Sequence, residues 1–240
     1  MKVLAINGSP MKDKGNTAAI LTPFLDGMRE AGAEIELFYI KNLKIKPCQG
    51  EFNCWFKTPA ECFQKDDMQT LLPKFSQADL WVFATPLYVD GMSGPMKNLL
   101  DRLIPLLEPF LELRDGHGRH PLRKGVKRGK VVLVSNCGLW ESDNFDPLVA
   151  HVAAACKNLN REFAGAVLRP NGPILAAMAE MGAPADDVLE AAKNAGHQLV
   201  KDGRMQTETL EVIGRELIPL EMFIESANQH IQQTLDELEA

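Results

Sequence analysis

The sequence predicts an α/β fold in which helices cover both faces of a parallel sheet. Three observations carry that expectation. Five short segments, residues 2–7, 34–40, 79–85, 130–136 and 162–168, are strand-like, and the third and fourth have the apolar interiors of strands covered on both faces. Helical patterns with three- and four-residue apolar steps lie between them. The chain has 240 residues, 45% hydrophobic and 24% charged, enough for one large α/β domain with a substantial core.

The elements follow in order. Strand one ends at Asn7, and Gly8-Ser9-Pro10 breaks it. Asn16-Thr17 opens a helix whose apolar residues Ile20, Leu21, Phe24, Leu25 and Met28 share one face, and Gly32 closes it. Helices are expected over 66–76, 95–107 and 145–159. After Pro170 the chain turns mostly helical: 185–201, 207–217, and a last helix opening at Pro219, a favourable first helical position. In that last helix Leu220, Phe223, Ile224, Ala227, Ile231, Leu235 and Leu238 form one stripe, expected to be core or a dimer seam. The organisation expected is a sheet-bearing domain over 1–204 and a helical extension over 205–240, packed on the same domain or at a dimer interface.

Composition removes several classes. The formal net charge of −6 argues against a nucleic-acid coat. No apolar run approaches the ~20 residues that cross a bilayer, and the first residues are too short an apolar stretch for a signal peptide. Five cysteines without an even ladder of spacings make no disulfide scaffold, so a reducing cytoplasm is the expected compartment. The charge is unevenly placed. Residues 205–240 carry −7, while residues 112–130 hold seven Lys/Arg against Glu112 and Asp115.

In doubly wound sheets ligands bind beyond the carboxyl ends of the strands, where the strand order reverses. The loop after strand one, residues 8–17, is rich in small and hydroxyl residues and runs into a helix N-terminus, where an anion is favoured. It lacks the Lys-Ser/Thr of a Walker loop and the G-x-G-x-x-G of a dinucleotide site. A monophosphate is the expected ligand, with Ser9, Asn16 and Thr17 as donors. The loop after strand three places Pro86, Gly91, Gly94 and Pro95 around Tyr88, an edge suited to a flat heteroaromatic ring.

The spacing Pro86-x-Tyr88-x-x-Gly91-x-Ser93-Gly94-x-x-Lys97-x-x-x-Asp101-Arg102 resembles the signature of the NADPH-dependent FMN reductases, and Gly8-Ser9-Pro10…Gly15-Asn16-Thr17 resembles their phosphate loop. The resemblance spans residues 1 to about 140. It implies a flavodoxin-like doubly wound sheet of five parallel strands in the order 2-1-3-4-5, with extra C-terminal helices. It implies noncovalent FMN, its phosphate on Ser9, Asn16 and Thr17, its ring bordered by Pro86, Leu87, Tyr88 and Gly91. Backbone donors of the loop after strand four, Asn136-Cys137-Gly138, are then expected at the pyrimidine edge of the ring, where negative charge gathers on reduction.

The implied activity is oxidation of NAD(P)H as co-substrate, with electrons passed to a quinone, nitro compound or other small-molecule acceptor. No side-chain acid, base or nucleophile is required, and Tyr88 is the side chain expected at the ring. Two rivals remain: an electron carrier of the iron–sulfur flavoprotein type and a flavin-binding module without catalysis. A flavin bordered only by three loops stays exposed, so a homodimer or higher oligomer is expected.

Residues 45–62 hold Cys48, Cys54 and Cys62 and resemble the cluster-binding segment of iron–sulfur flavoproteins. Glu51 stands where that pattern has its second cysteine. Three thiolates leave a cubane one ligand short, so no metal is expected, and the segment is read as packing and pocket wall with Phe52, Trp55, Phe56 and Phe63. Lys97, Asp101 and Arg102 read as a helix-end ion pair. The basic connection 112–130 is expected above the ligand edge, as a site for cofactor phosphates or an acidic substrate, or as a solvated loop or dimer contact. His117 and His120 have no metal-ligand spacing.

Overall fold

The computed structural model of the chain describes residues 1–181 and 184–239. Gly182 and Ala183 of the expected sheet-bearing domain, and Ala240 at the end of the extension, lie outside them.

In chain order the elements are β1 (Lys2–Asn7), α1 (Asn16–Glu30), β2 (Glu34–Tyr39), α2 (Asn53–Phe56), α3 (Met68–Gln77), β3 (Leu80–Tyr88), β4 (Gly91–Met92) and α4 (Gly94–Asp101). They continue with β5 (Glu112–Arg114), β6 (His117–Arg119), β7 (Lys130–Asn136), α5 (Asp146–Asn158), β8 (Glu162–Arg169), α6 (Gly172–Glu180), α7 (Asp186–Lys201), α8 (Thr207–Gly214) and α9 (Leu220–Glu239). The sheet order is β2-β1-β3-β7-β8, all parallel. These are the five expected strands in the expected 2-1-3-4-5 order, and the order reverses between β1 and β3.

Two apolar layers hold the sheet. On one face α3, α4 and α5 bury Phe75, Met96, Leu99, Leu148 and Val152 against Trp81 and Leu133. On the other, α1 and α7 bury Phe24, Met28, Val188 and Leu199 against Val82 and Val132. The α1–α7 crossing depends on two glycines. A β-carbon on Gly27 would stand 1.8 Å from the Lys193 carbonyl oxygen, and one on Gly196 would stand 1.9 Å from that of Phe24. The backbones therefore meet without intervening side chains.

Four expectations need correction. The helix expected over 95–107 stops at Asp101, and a single 3₁₀ turn over Ile104–Leu106 follows with Pro105 inside it. Pro105 lacks the N–H that an α-helix needs there. The helix expected over 207–217 ends at Gly214. Strand three runs on to Tyr88 because β4 pairs with its end. Residues 112–119, expected as a loop, form the hairpin β5–β6 about Asp115 and Gly116, both at positive φ (51° and 74°). Helices α2 and α6 were not expected.

The extension begins as part of the body. Ile213 of α8 is fully buried, and Arg169, itself 1% exposed, donates to the carbonyls of Ile213 (2.6 Å) and Arg215 (2.8 Å). Helix α9 then stands away from it, with Ile224, Ile231 and Leu235 about half exposed.

Candidate functional site

The carboxyl ends of β1, β3 and β7 converge at one edge of the sheet. Beyond β1, Asn7 is fully buried and accepts from the Ser9 N–H through Oδ1 (2.8 Å), which turns the chain sharply. Gly15 precedes α1 in extended conformation, and no side chain caps the helix. Ala18 N–H reaches Gly15 O, but among the described residues the N–H groups of Asn16 and Thr17 have no partner. Two unmet donors at the positive end of a 15-residue helix are what a bound anion would require. Ser9 Oγ lies where a β-carbon on Gly15 would come within 2.8 Å, so Ser9 closes over the same helix start.

The loops are tied together beneath this helix start. Ser93 Oγ donates to Gly8 O (2.9 Å), its N–H donates to Thr85 Oγ1 (2.9 Å), and Ser135 Oγ donates to Thr85 O (2.7 Å). Thr17 Oγ1 donates to Asn136 Oδ1 at 2.6 Å, joining the head of α1 to the end of β7. Asn7, Thr85 and Ser135 were not singled out in the sequence because each is a small polar residue at or near the end of an otherwise apolar strand run.

Beyond β3 the chain makes a two-residue hairpin, with Tyr88 paired to Gly91 and Val89 and Asp90 both at positive φ (46° and 59°). Such a turn suits Asn-Gly; a β-branched valine there is strained. Val89 is fully exposed, so packing does not explain it. The strained turn presents Tyr88, half exposed, beside Pro86 and Leu87. Tyr88, Ser9 and Pro10 line a common cleft of about 810 Å³ with Leu43, Ile45 and Pro95.

Beyond β7, Cys137 is buried. Its N–H donates to Arg169 O (3.2 Å) and its thiol to Leu139 O (3.3 Å). Burial raises the Cys137 thiol pKa, so it is protonated at neutral pH. Gly138 is exposed with open space around it, and among the described residues its N–H has no partner. The donor facing outward from this loop is therefore Gly138. Asn171 and Gly172, which sequence reasoning missed, donate through their N–H groups to Leu139 O (2.7 Å) and Cys137 O (2.9 Å) and brace the loop from behind.

The cysteine segment lies to one side. Cys48, Glu51, Cys54 and Cys62 line a cavity of about 10 Å³, room for about one water. Arg102 closes it. Its guanidinium donates to Asp66 Oδ2 (2.7 Å) and Oδ1 (3.1 Å), to Lys46 O (2.5 Å) and to Cys62 Sγ (3.3 Å). Both side chains of the ion pair are 1% exposed. The expected helix-end group is thus split: Lys97 pairs with Asp101 at the surface, and Arg102 turns inward to Asp66. Burial pushes the Cys54 thiol up to about 11, helped by neighbouring Cys62, Glu51 and Cys48.

The basic connection is not at the ligand edge. Helix α5 leaves the carboxyl end of β7 and runs to the opposite edge. Its last turn, Lys157 O and Asn158, receives Arg114 Nη2 (3.1 Å) and the Arg119 guanidinium. These arginines neutralise a helix C-terminus rather than wait for phosphate.

The model for the family described as NADPH-dependent FMN reductase matches residues 1–141. An iron–sulfur flavoprotein of Archaeoglobus fulgidus is 40% identical over 102 residues, covering 42% of this chain and 48% of that one. The match thus spans about half the length of this curated relative. Among solved structures, an NAD(P)H:quinone oxidoreductase from Methanothermobacter marburgensis superposes with a TM-score of 0.60 at 18% identity, covering 83% of this chain and 96% of that one. An FMN-dependent NADH-azoreductase from Bacillus anthracis, solved in complex with FMN, superposes at 0.61 and 16%, covering 84% and 100%. These likenesses establish a flavodoxin-like fold.

The relative's name implies an iron–sulfur cluster, and the donor set here does not fit one. Glu51 offers hard oxygen where soft thiolate is needed, and Arg102, held by Asp66, lines a cavity too small for a cubane. Among the described residues no group of three or more His, Cys, Asp or Glu is arranged to hold a metal ion.

Proposed function

Because this chain belongs to the NADPH-dependent FMN reductase family, we propose that it binds FMN at the β1–β3–β7 edge and oxidises NAD(P)H, passing the electrons to a small acceptor such as a quinone or nitro compound. FMN, when bound, supplies two-electron hydride chemistry. The observation that carries the reading is the pair of unmet N–H groups of Asn16 and Thr17 at the head of α1, at the point where strand order reverses. Ser9, Asn16 and Thr17 would hold the phosphate. Pro86, Leu87, Tyr88 and Gly91 would border the ring, and Tyr88 would screen one of its faces. Gly138 would donate to the pyrimidine edge, with Asn136 and Cys137 setting that loop's position. A single anion seat without a dinucleotide fingerprint favours FMN over FAD.

The test is to extract the pigment of the purified protein, resolve it chromatographically and assay NADH and NADPH oxidation with a quinone. Iron and acid-labile sulfide are measured on an anaerobic preparation. FMN with quinone-dependent turnover and no stoichiometric iron is expected. FAD, or no flavin, defeats the reading. Bound FMN without turnover leaves a flavin-binding module. Near four irons per chain turns it to the iron–sulfur electron carrier.

A further inference from the structure

The two ends of the cysteine segment lie side by side and run in opposite directions. Lys44 N–H donates to Asp67 Oδ2 (2.6 Å), and Asp67 N–H donates back to Lys44 O (3.1 Å). Lys46 N–H donates to Asp66 Oδ2 (3.0 Å), and Gln64 Nε2 donates to Pro47 O (2.8 Å). As one chain advances from 44 to 47, its partner retreats from 67 to 64. The next step of this progression sets Cys48 opposite Cys62. Residues that face each other in antiparallel chains have Cα atoms about 4.5–5.5 Å apart, within the about 4.4–6.8 Å that a disulfide spans.

Two further observations place the sulfurs. Cys48 and Cys62 line the same one-water cavity. Arg102 grips both segments with one guanidinium, through Lys46 O (2.5 Å) and Cys62 Sγ (3.3 Å). Cys48 is exposed, so one sulfur of the two is open to solvent, while Cys62 is partly covered. Cys54 is the bystander. It is buried, and its thiol, pushed up to about 11, stays protonated.

We propose that Cys48 and Cys62 form a reversible dithiol–disulfide pair oxidised by hydrogen peroxide. The Cys48 sulfur attacks one peroxide oxygen, the O–O bond breaks, and a sulfenic acid and one water result. The Cys62 sulfur then attacks the Cys48 sulfur, its proton leaves with the departing hydroxyl as a second water, and the S–S bond forms. The two thiols lose two electrons in all, and one peroxide becomes two waters. Arg102 is a positioning residue, fixing Cys62 Sγ beside the chain that carries Cys48. The chemistry needs neither metal nor flavin, so it stands independently of the flavin reading.

The test uses the full chain as purified, exposed to hydrogen peroxide and then denatured and labelled with iodoacetamide. Five thiols should be counted before oxidation and three after, with dithiothreitol restoring five. Peptides mapped without reduction should join Cys48 to Cys62 within one chain. Cys48→Ser should keep its four thiols through the same treatment, and Cys54→Ser should still lose two. Because the pair already lies in register, the oxidised protein should melt at a higher temperature than the reduced one. Survival of all five thiols, a link through Cys54, a link between two chains, sulfinic acid at Cys48 without a link, thiols masked by bound iron, or a lower melting temperature on oxidation would each overturn the proposal.

Discussion

The ligand edge and the cysteine–hairpin side of the molecule leave opposite kinds of group unpaired. At the head of α1 and after β7, backbone donors have no partner among the described residues, and the apolar residues beneath them are sealed. On the cysteine–hairpin side two charged side chains pair inward, Arg102 with Asp66 and Arg114 with the end of α5, while Leu111, Leu113 and Phe56 face solvent. Unmet hydrogen-bond donors call for a small polar ligand; unmet apolar area calls for another protein surface. The two regions should therefore fail differently when altered.

The largest expected effect is on the cysteine side. Arg102→Ala leaves Asp66 charged and buried, which should cost about 3–5 kcal/mol in chemical denaturation. Flavin bound per folded molecule should hardly change; a loss of flavin affinity without a loss of stability would break the contrast. Acid tests the same pair. Burial alone would raise the Asp66 carboxyl, but Arg102 and the N–H groups of Lys46 and Met68 outweigh it and hold the pKa below its ordinary value. Its stabilising contribution is thus complete above about pH 4 and lost as pH falls through the lowered folded value. Asp66→Asn should flatten that part of the stability–pH curve.

At the ligand edge the sign of the contrast reverses. Asn16→Ala should weaken FMN by about 1–2 kcal/mol, roughly 5- to 30-fold in Kd by flavin fluorescence titration, while the flavin-free protein melts as before. The smallest effect is at the turn after β3. Val89→Gly relieves a strained conformation with no packing to lose, so stability should rise by about 1 kcal/mol. If FMN affinity falls in that variant, the strain is serving to hold Tyr88 in place.

The strands and their order were legible because their aliphatic runs admit no competing pattern. The connection from β1 to α1 was legible too, since the Gly8-Ser9-Pro10 break and the Asn16-Thr17 helix start both stand in the sequence. The β3–β4 hairpin was not, because Val89-Asp90 carries no turn signal and its conformation is imposed by the pairing of Tyr88 with Gly91. Hairpin β5–β6 did carry one, Asp115-Gly116, but its strands are only three residues each. The partner of Arg102 lay 36 residues away in Asp66, beyond any local reading, and the adjacent Asp101 was the misleading choice. The placement of residues 112–130 failed for a related reason. Position relative to a sheet edge depends on where α4 stops and which helix end the arginines meet.

The glycine contact between α1 and α7 has a dynamic consequence. With backbone against backbone at Gly27 and Gly196, neither helix can loosen its middle turns without the other, so the two should open as one cooperative unit in amide hydrogen exchange. An anion held at the first turn of α1 would then slow exchange along α7, a helix that lies wholly on the covered face of the sheet. Protection would be transmitted through the two points where the helices meet backbone to backbone.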